Sequence, residues 1–542
     1  MAFWRVRANL ASANFPFATS FGGRSIIVGQ YDQNYDKNVN SQADVDKDRG
    51  IPQAFYMHNV MPTSQGYMSV GYTKLLDGLS AVNDFDSVFP IQNDELSRFL
   101  FCPAAGKNYI YDKVVGVWNS VSPISGLQQN VLVTTALVNA QSYLFYANKG
   151  CYKYNQETKL LDEVALVGVD VALVSGMCNA NGYSILWDDN SISWSSLTDP
   201  LDFTPSLITG AGGGSLNEAK GRIIVCLPIA GGFIAYCEKN IVAARYTGNA
   251  RFPYNFKELP NSGGIQTAES VSWQSNNVDH YAWTSAGAQK VGLSTCDNIL
   301  PELTDFLSMK YFEDFNPTSM QFTESYLSTQ LYNKLTMVSA RYLVLSYGTS
   351  YAEFTHALVY DVVLKRWGKL KITHRDCFQW NSPNLYGELA YDELTVSYDG
   401  LGPDTTYDDF NDTIRSIEYP RENLAFVKAN GEVQVVNFDY KQDTANGVFM
   451  LGKFEFRRNV FIVHQQSDVE SINEGNTFKY YIAITLDGKT IEYPIEEATL
   501  IKSSPKMKKY GKQITGLNCL GVFVGAFNLN SMIIEFTEGG NR

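Results

Sequence analysis

Short apolar runs separated by tight polar turns fill most of the chain, the pattern of strands joined by hairpins. Residues 97–121 read Ser97-Arg-Phe-Leu-Phe-Cys-Pro103, a Gly turn, Asn108-Tyr-Ile-Tyr111-Asp112, a turn at Gly116, then Val117-Trp118. The plan recurs from Gln141: Tyr143-Leu-Phe-Tyr146, the turn Asn148-Lys-Gly150, Cys151-Tyr-Lys-Tyr154-Asn155, a polar turn, then Leu160-Leu161. From Tyr183 it recurs as Ser184-Ile-Leu-Trp187, Asp188-Asp-Asn190, Ser191-Ile-Ser-Trp194, Thr198-Asp-Pro200 and Leu201-Asp-Phe203. Each block is strand, tight turn, strand ending on an aromatic, polar turn, strand, with Gly, Asn, Asp and Pro where hairpins need them.

Four more blocks follow. Gly232-Phe-Ile-Ala-Tyr-Cys237 leads into Ile241-Val-Ala-Ala-Arg-Tyr246, and His280-Tyr-Ala-Trp283, turned at Gly287, into Lys290-Val-Gly-Leu293. Arg341-Tyr-Leu-Val-Leu-Ser346 leads into Ala357-Leu-Val-Tyr360-Asp361, and Asn423-Leu-Ala-Phe-Val427, turned at Asn430-Gly431, into Val433-Gln-Val-Val-Asn-Phe438-Asp439. The equivalent anchors Tyr111, Tyr154, Trp194, Tyr246, Leu293, Tyr360 and Phe438 are separated by 43, 40, 52, 47, 67 and 78 residues. A period of about 40–50 residues is that of propeller blades. The two longer gaps place insertions near 310–340 and 380–420. Tyr111-Asp to Trp118 and Tyr360-Asp to Trp367 share a finer signature, an aromatic seven residues before a tryptophan.

The expected fold is therefore all-β, a β-propeller of six or seven blades over 95–450, carrying those two insertions. A plain run of hairpins in a sandwich or barrel is the alternative; radial repetition, which protects sheet edges, favours the propeller. One helix is expected, Pro301 to Phe312, with Asn298 as its cap and Leu303, Phe306 and Leu307 on one face. Residues 1–94 form an N-terminal segment with a polar arm from Asp32 to Gly50. Residues 451–542 form a C-terminal β domain with a hairpin turned at Asp487-Gly488.

Composition adds limits. The chain has 542 residues, a hydrophobic share of 45% and a charged share of 18%, so it is globular with a charge-poor surface. Net charge is −13, which argues against gripping phosphates. The eight cysteines show no C-x-x-C pair and sit in apolar runs, as small buried hydrophobes do. The N-terminal residues lack the apolar core of a signal peptide, and no run is long enough to span a membrane. Folding in a reducing cytosol is the expectation.

Candidate chemistry is thin. Asp44-Val-Asp46-Lys-Asp48 opens like a calcium loop, but Arg49 stands where glycine is needed and Phe55 where glutamate is needed. Asp404, Asp408, Asp409 and Asp412 cluster as a loose cation site at best. Gly210-Ala-Gly-Gly-Gly214-Ser lacks the P-loop lysine, and the five histidines lack metal-site spacing. The sequence shows no G-x-S-x-G elbow and no Ser-x-Asp-x-Gly-x-x-Trp box. No catalytic, cofactor or metal residue is assigned, no cofactor is expected, and the chain reads as a non-enzyme. The basic run Lys502, Lys506, Lys508, Lys509 and Lys512 is a candidate docking patch.

Three stretches resemble the tail nozzle (tail hub and stabilisation) proteins of short-tailed bacteriophages. The first is Ile51-Pro-Gln-Ala-Phe-Tyr-Met-His-Asn-Val-Met-Pro-Thr-Ser-Gln-Gly66-Tyr-Met-Ser-Val-Gly-Tyr72. The second runs from Ile185 to Asn240, with Ser193-Trp194-Ser-Ser-Leu-Thr-Asp-Pro-Leu-Asp-Phe-Thr-Pro205 and Leu227-Pro-Ile-Ala-Gly-Gly-Phe-Ile-Ala-Tyr-Cys-Glu-Lys-Asn240. The third is Gly516-Leu-Asn-Cys-Leu-Gly-Val-Phe-Val-Gly-Ala-Phe-Asn-Leu-Asn-Ser531. The resemblance implies a structural virion protein, made and assembled in the host cytoplasm. It implies a homo-oligomeric ring, usually of six copies, at the end of the tail tube. Its partners would be a tail adaptor, fibre, spike or needle proteins, and viral DNA passing through without sequence-specific binding; no membrane insertion is implied. The alternatives are a propeller glycan-binding module, with Trp187, Trp194 and Trp367 stacking on sugars, and a polysaccharide hydrolase with carboxylates converging on the axis.

Overall fold

The computed structural model describes residues 132–298 with short gaps at 156 and 273–278, and shorter segments, mostly strands, between 3 and 121 and between 311 and 538. The architecture is an all-β propeller with flanking β-sheets. From the N terminus come β1 (Phe3–Ala8), β2 (Ala11–Pro16), β3 (Ile26–Ile27), β4 (Tyr56–His58), β5 (Val60–Pro62), β6 (Tyr67–Ser69) and β7 (Gly71–Leu76).

Five sheets then form from consecutive strands. The first holds β8 (Phe89–Gln92), β9 (Arg98–Ala104), β10 (Lys107–Asp112) and β11 (Val117–Val121). The second holds β12 (Val133–Val138), β13 (Gln141–Tyr146), β14 (Gly150–Asn155) and β15 (Leu160–Val164). The third holds β16 (Gly176–Ala180), β17 (Tyr183–Trp187), β18 (Ser191–Trp194) and β19 (Gly212–Ser215). The fourth holds β20 (Ile223–Ile229), β21 (Gly232–Cys237), β22 (Ile241–Tyr246) and β23 (Tyr254–Glu258). The fifth holds β24 (His280–Thr284), β25 (Gly287–Val291) and β26 (Cys296–Asn298). Among the described residues, the strand that would precede β24 is reduced to a single bridge, Val271 to Ala282.

Local chemistry explains the tight turns. Asn139 and Ala140 have φ of 47° and 67°, and Asn181 and Gly182 have 52° and 85°. Two successive left-handed residues twist a two-residue hairpin the same way as its strands. First strands of successive sheets lie beside one another: β12 against β16, and β16 against β20. A core fills the wedges, with Trp187, Tyr183, Phe233 and Tyr236 at 1% exposure or less. The six described cysteines, Cys151, Cys178, Cys226, Cys237, Cys296 and Cys377, are buried free thiols.

The expected helix is corrected at its end. Residues 299–310 lie outside the described residues, but Tyr311 and Phe312 begin β27 (Tyr311–Asn316), which pairs with β28 (Gln321–Tyr326). Three aromatics in the five residues Tyr311-Phe-Glu-Asp-Phe315 suit a strand, since aromatic side chains favour the pleat. This two-stranded sheet lies in the expected 310–340 insertion; the 380–420 insertion falls outside the described residues.

Next come β29 (Tyr332–Val338), β30 (Tyr342–Gly348), β31 (Phe354–Asp361) and β32 (Arg366–His374), a meander, and then β33 (Asp376–Trp380), β34 (Asn423–Val427) and β35 (Val433–Asn437). The outer strand beside β35 is β7, from the other end of the chain, in register Thr73↔Val435 and Gly71↔Asn437. The β29–β32 meander does not stop at its rim. It continues as β5, β6, β44, β1 and β2, within a twelve-stranded sheet.

The remaining strands are β36 (Gly447–Met450), β37 (Phe454–Glu455), β38 (Val460–Glu470), β39 (Phe478–Ile484), β40 (Glu496–Ala498), β41 (Lys506–Lys509), β42 (Gln513–Ile514), β43 (Asn518–Gly525) and β44 (Asn528–Glu538). They interleave with the N-terminal strands: β1 pairs with β44, β3 with β37, and β4 with β36. The two flanks thus share sheets. The turn expected at Asp487-Gly488 lies outside the described residues; among the described residues β39 pairs with β40 and β43.

Candidate functional site

Polar ties run from each sheet of the propeller to the next. Tyr146 donates its hydroxyl to Asn108 Oδ1 at 2.7 Å, tying the second sheet to the first. The Met177 amide donates to Thr134 Oγ1 at 2.8 Å, between the third and second. Tyr254 donates to the Ala180 carbonyl at 2.7 Å, between the fourth and third. His280 bridges the fifth and fourth, with Nε2 2.8 Å from the Pro228 carbonyl and Nδ1 3.0 Å from the Tyr236 hydroxyl. A carbonyl only accepts, so Nε2 carries the proton and Tyr236 donates to Nδ1. Burial holds this imidazole neutral, with its pKa pushed down to about 4.

The tie at the closing seam is ionic. Lys334 on β29 lies 3.1 Å from Asp376 Oδ1 on β33 and 4.0 Å from Glu269, beside the bridge that heads the fifth sheet. The other Asp376 oxygen accepts the Val88 amide at 2.7 Å, just before β8. Lys334 and Asp376 are 4% and 3% exposed. Burial pushes the lysine down, but the Asp376 and Glu269 carboxylates more than offset it and hold the ammonium above its ordinary range. A buried pair of this kind survives because each charge has its partner and further hydrogen bonds. The two carboxylates that converge here are bridged by an ammonium, and one caps backbone amides at Val88 and Cys377. Such an arrangement clamps strands; it does not leave an acid and a base facing an open cleft. The sequence reading missed this cluster. Its one signal was a charge inside an apolar run, Lys334 in Tyr332-Asn-Lys-Leu-Thr-Met-Val338.

The tryptophans proposed as sugar platforms are core residues in two cases of three. Trp187 and Trp367 are 1% and 2% exposed. Trp194 is half-buried, and its indole N–H donates to the Gly210 carbonyl at 3.0 Å. Trp367 pairs across strands with Tyr360, as Trp118 does with Tyr111. Within the basic run, Lys506, Lys508 and Lys509 form β41, opposite Ser467, Gln465 and His464 of β38. Lys502 and Lys512 lie outside the described residues, as do the acidic groups at 44–48 and 404–412. Among the described residues no group of three or more His, Cys, Asp or Glu is placed to hold a metal. Nor is any helix there long and apolar enough to cross a membrane.

The β29–β32 meander and the N-terminal strands meet at β32 and β5. Gly368 is required there, since a Cβ would fall 2.6 Å from the Val60 carbonyl. Lys371 donates its amide to Asn59 Oδ1 at 2.9 Å, and Arg366 reaches the Thr63 carbonyl at 3.2 Å. Met61, Met68 and Val70 enter the core formed by β29–β35.

No family model and no curated protein matches the chain. Among solved structures, it is similar to U3-55K at 9% identity and a TM-score of 0.37, over 68% of this chain and 98% of that one. An extracellular domain from B. thetaiotaomicron is similar at 11% identity and a TM-score of 0.39, over 88% of this chain and 62% of that one. PorZ of Porphyromonas gingivalis is similar at 12% identity and a TM-score of 0.33, over 58% of this chain and 36% of that one. The propeller assignment rests on the strand pairing above.

Proposed function

We propose that this chain is a non-enzymatic building block of a homo-oligomeric ring that surrounds a DNA passage at the end of a short phage tail. One observation carries the reading: the stretches that resemble nozzle proteins lie at structurally central places. Ile51 to Tyr72 covers β4–β6 and the start of β7, where the chain weaves from the flanking sheets into the propeller. Ile185 to Asn240 contributes to the third and fourth sheets, and Gly516 to Ser531 supplies all of β43 and the start of β44. Physical chemistry is in keeping with it. The net charge of −13 per copy repels phosphates, which carry about one charge per 1.7 Å of duplex, so DNA slides and is not held.

We put the blade count at seven: the five consecutive sheets, the β29–β32 meander, and β33–β35 closed by β7. The polar ties support this, because they run from each unit to the next and return from Asp376 to Val88. The patch Lys502, Lys506, Lys508, Lys509 and Lys512 lies off the passage in this reading and meets a neighbouring copy or another tail protein. Binding of the isolated protein to duplex DNA, followed by gel shift at low and moderate salt, tests the proposal. Weak binding is expected. Tight binding that falls steeply with salt would contradict a passive channel.

A further inference from the structure

The outer strands of the consecutive sheets are edges, which proteins usually guard with charge, proline or bulges. β15 carries Asp162 and Glu163, β23 carries Lys257 and Glu258, and β26 carries Asp297. β11 is uncharged but has Trp118 and Asn119 among its side chains. β19 is Gly212-Gly213-Gly214-Ser215, uncharged and nearly bare. Packing explains two of its glycines. A Cβ at Gly212 would lie 3.3 Å from the Trp194 ring, and one at Gly213 would lie 2.8 Å from the Ile192 carbonyl. At Gly214 it would meet nothing within 4 Å. That open space at Gly214 leaves room for another backbone to approach closely.

The phase of the ladder shows what this edge offers. Leu216 donates its amide to the Asn190 carbonyl at 2.9 Å. In an antiparallel pair alternate residues direct both polar groups at the partner. Gly212 and Gly214 therefore face β18, and Gly213 and Ser215 turn their N–H and C=O outward. The loop leading into this strand exposes Leu207 and Ile208 at 77% and 96%.

A second uncharged edge ends the twelve-stranded sheet. β2 reads Ala11-Ser12-Ala13-Asn14-Phe15-Pro16 and, among the described residues, pairs only with β1. Its sheet leaves the propeller through β32, three units on from the sheet of β19. In a ring of seven that is nearly the opposite side. We propose that β2 of one copy adds as a fifth strand to the open edge of β19 in the next. Two unlike edges on opposite sides make a head-to-tail contact, the kind that closes rings. The inference rests on the ring reading and names its interface.

Two variants test it, with far-UV circular dichroism and melting confirming that each folds. Ser215→Pro removes an outward N–H and no bond to β18. It is expected to reduce the assembly to protomers of 60.5 kDa. Ala13→Cys with Gly214→Cys, treated with a short bis-maleimide, is expected to give a ladder of cross-linked chains on a denaturing gel, absent from either single variant. An assembly that keeps its mass in Ser215→Pro and gives no ladder overturns the strand addition and leaves the ring standing. A wild-type protein that is a protomer in solution overturns both.

Discussion

Trp367 holds its place through a ring contact with Tyr360, at a centroid distance of 4.9 Å, and through near-complete burial. Trp367→Ala is expected to cost about 3–5 kcal/mol, as large-to-small core changes do, read as a shift in the denaturant midpoint. A change within error of zero would place the indole in solvent. Ala140 is the opposite case, a side chain in a left-handed turn position. Ala140→Gly is expected to stabilise by about 1 kcal/mol, because it relieves that strain. The buried histidines set an acid limit. His280 and His374 are held neutral by burial, each with its pKa pushed down to about 4 from an ordinary 6.5. The unfolded chain takes up protons below about pH 6.5 that the fold refuses until about pH 4. Their contribution to stability is full above that window and falls as pH drops through it, by about 1.4 kcal/mol per pH unit for each histidine. His280→Gln should remove one histidine's share of this slope in melts taken from pH 7 downward; an unchanged slope would contradict the assignment.

At the scale of elements, the buried pair of Lys334 and Asp376 ties β29 to β33 and to the residue before β8. Asp376→Ala strands a buried lysine ammonium and the Val88 amide together, and is expected to cost about 3–5 kcal/mol. Lys334→Met with Asp376→Leu removes both charges and is expected to cost less, because no charge is then left buried without its partner. A double variant that costs the sum of the two single variants would mean the pair is not coupled. The repeat was legible in the sequence because its signals are local. Tyr111, Tyr154, Trp194, Tyr246 and Tyr360 lie on the third strand of their units, and Leu293 and Phe438 just beyond strands of theirs. The seven-residue spacing of Tyr360 and Trp367 is a cross-strand pair across a tight turn. What the sequence hid is non-local. Nothing in Gly71–Leu76 announces a partner at Val433–Asn437, and the parallel pairing of β1 with β44 joins the two flanks of the chain. The ionic clamp was hidden for the same reason, since Lys334, Asp376, Glu269 and Val88 come together only when the units close.

For the whole molecule, the propeller is joined to a sheet made from both flanks, and in the proposed reading the two together are one tile of a ring. Replacing Lys502, Lys506, Lys508, Lys509 and Lys512 with Gln should weaken assembly without changing DNA affinity, which the parallel use of particle mass and gel shift separates. A fall in DNA affinity with intact assembly would move the patch into the passage. The most direct measurement is the mass of the purified protein in solution. Six copies of 60.5 kDa would give a particle of about 363 kDa, ring-shaped in negative stain. A single species at the protomer mass, unchanged as concentration rises, would contradict the ring.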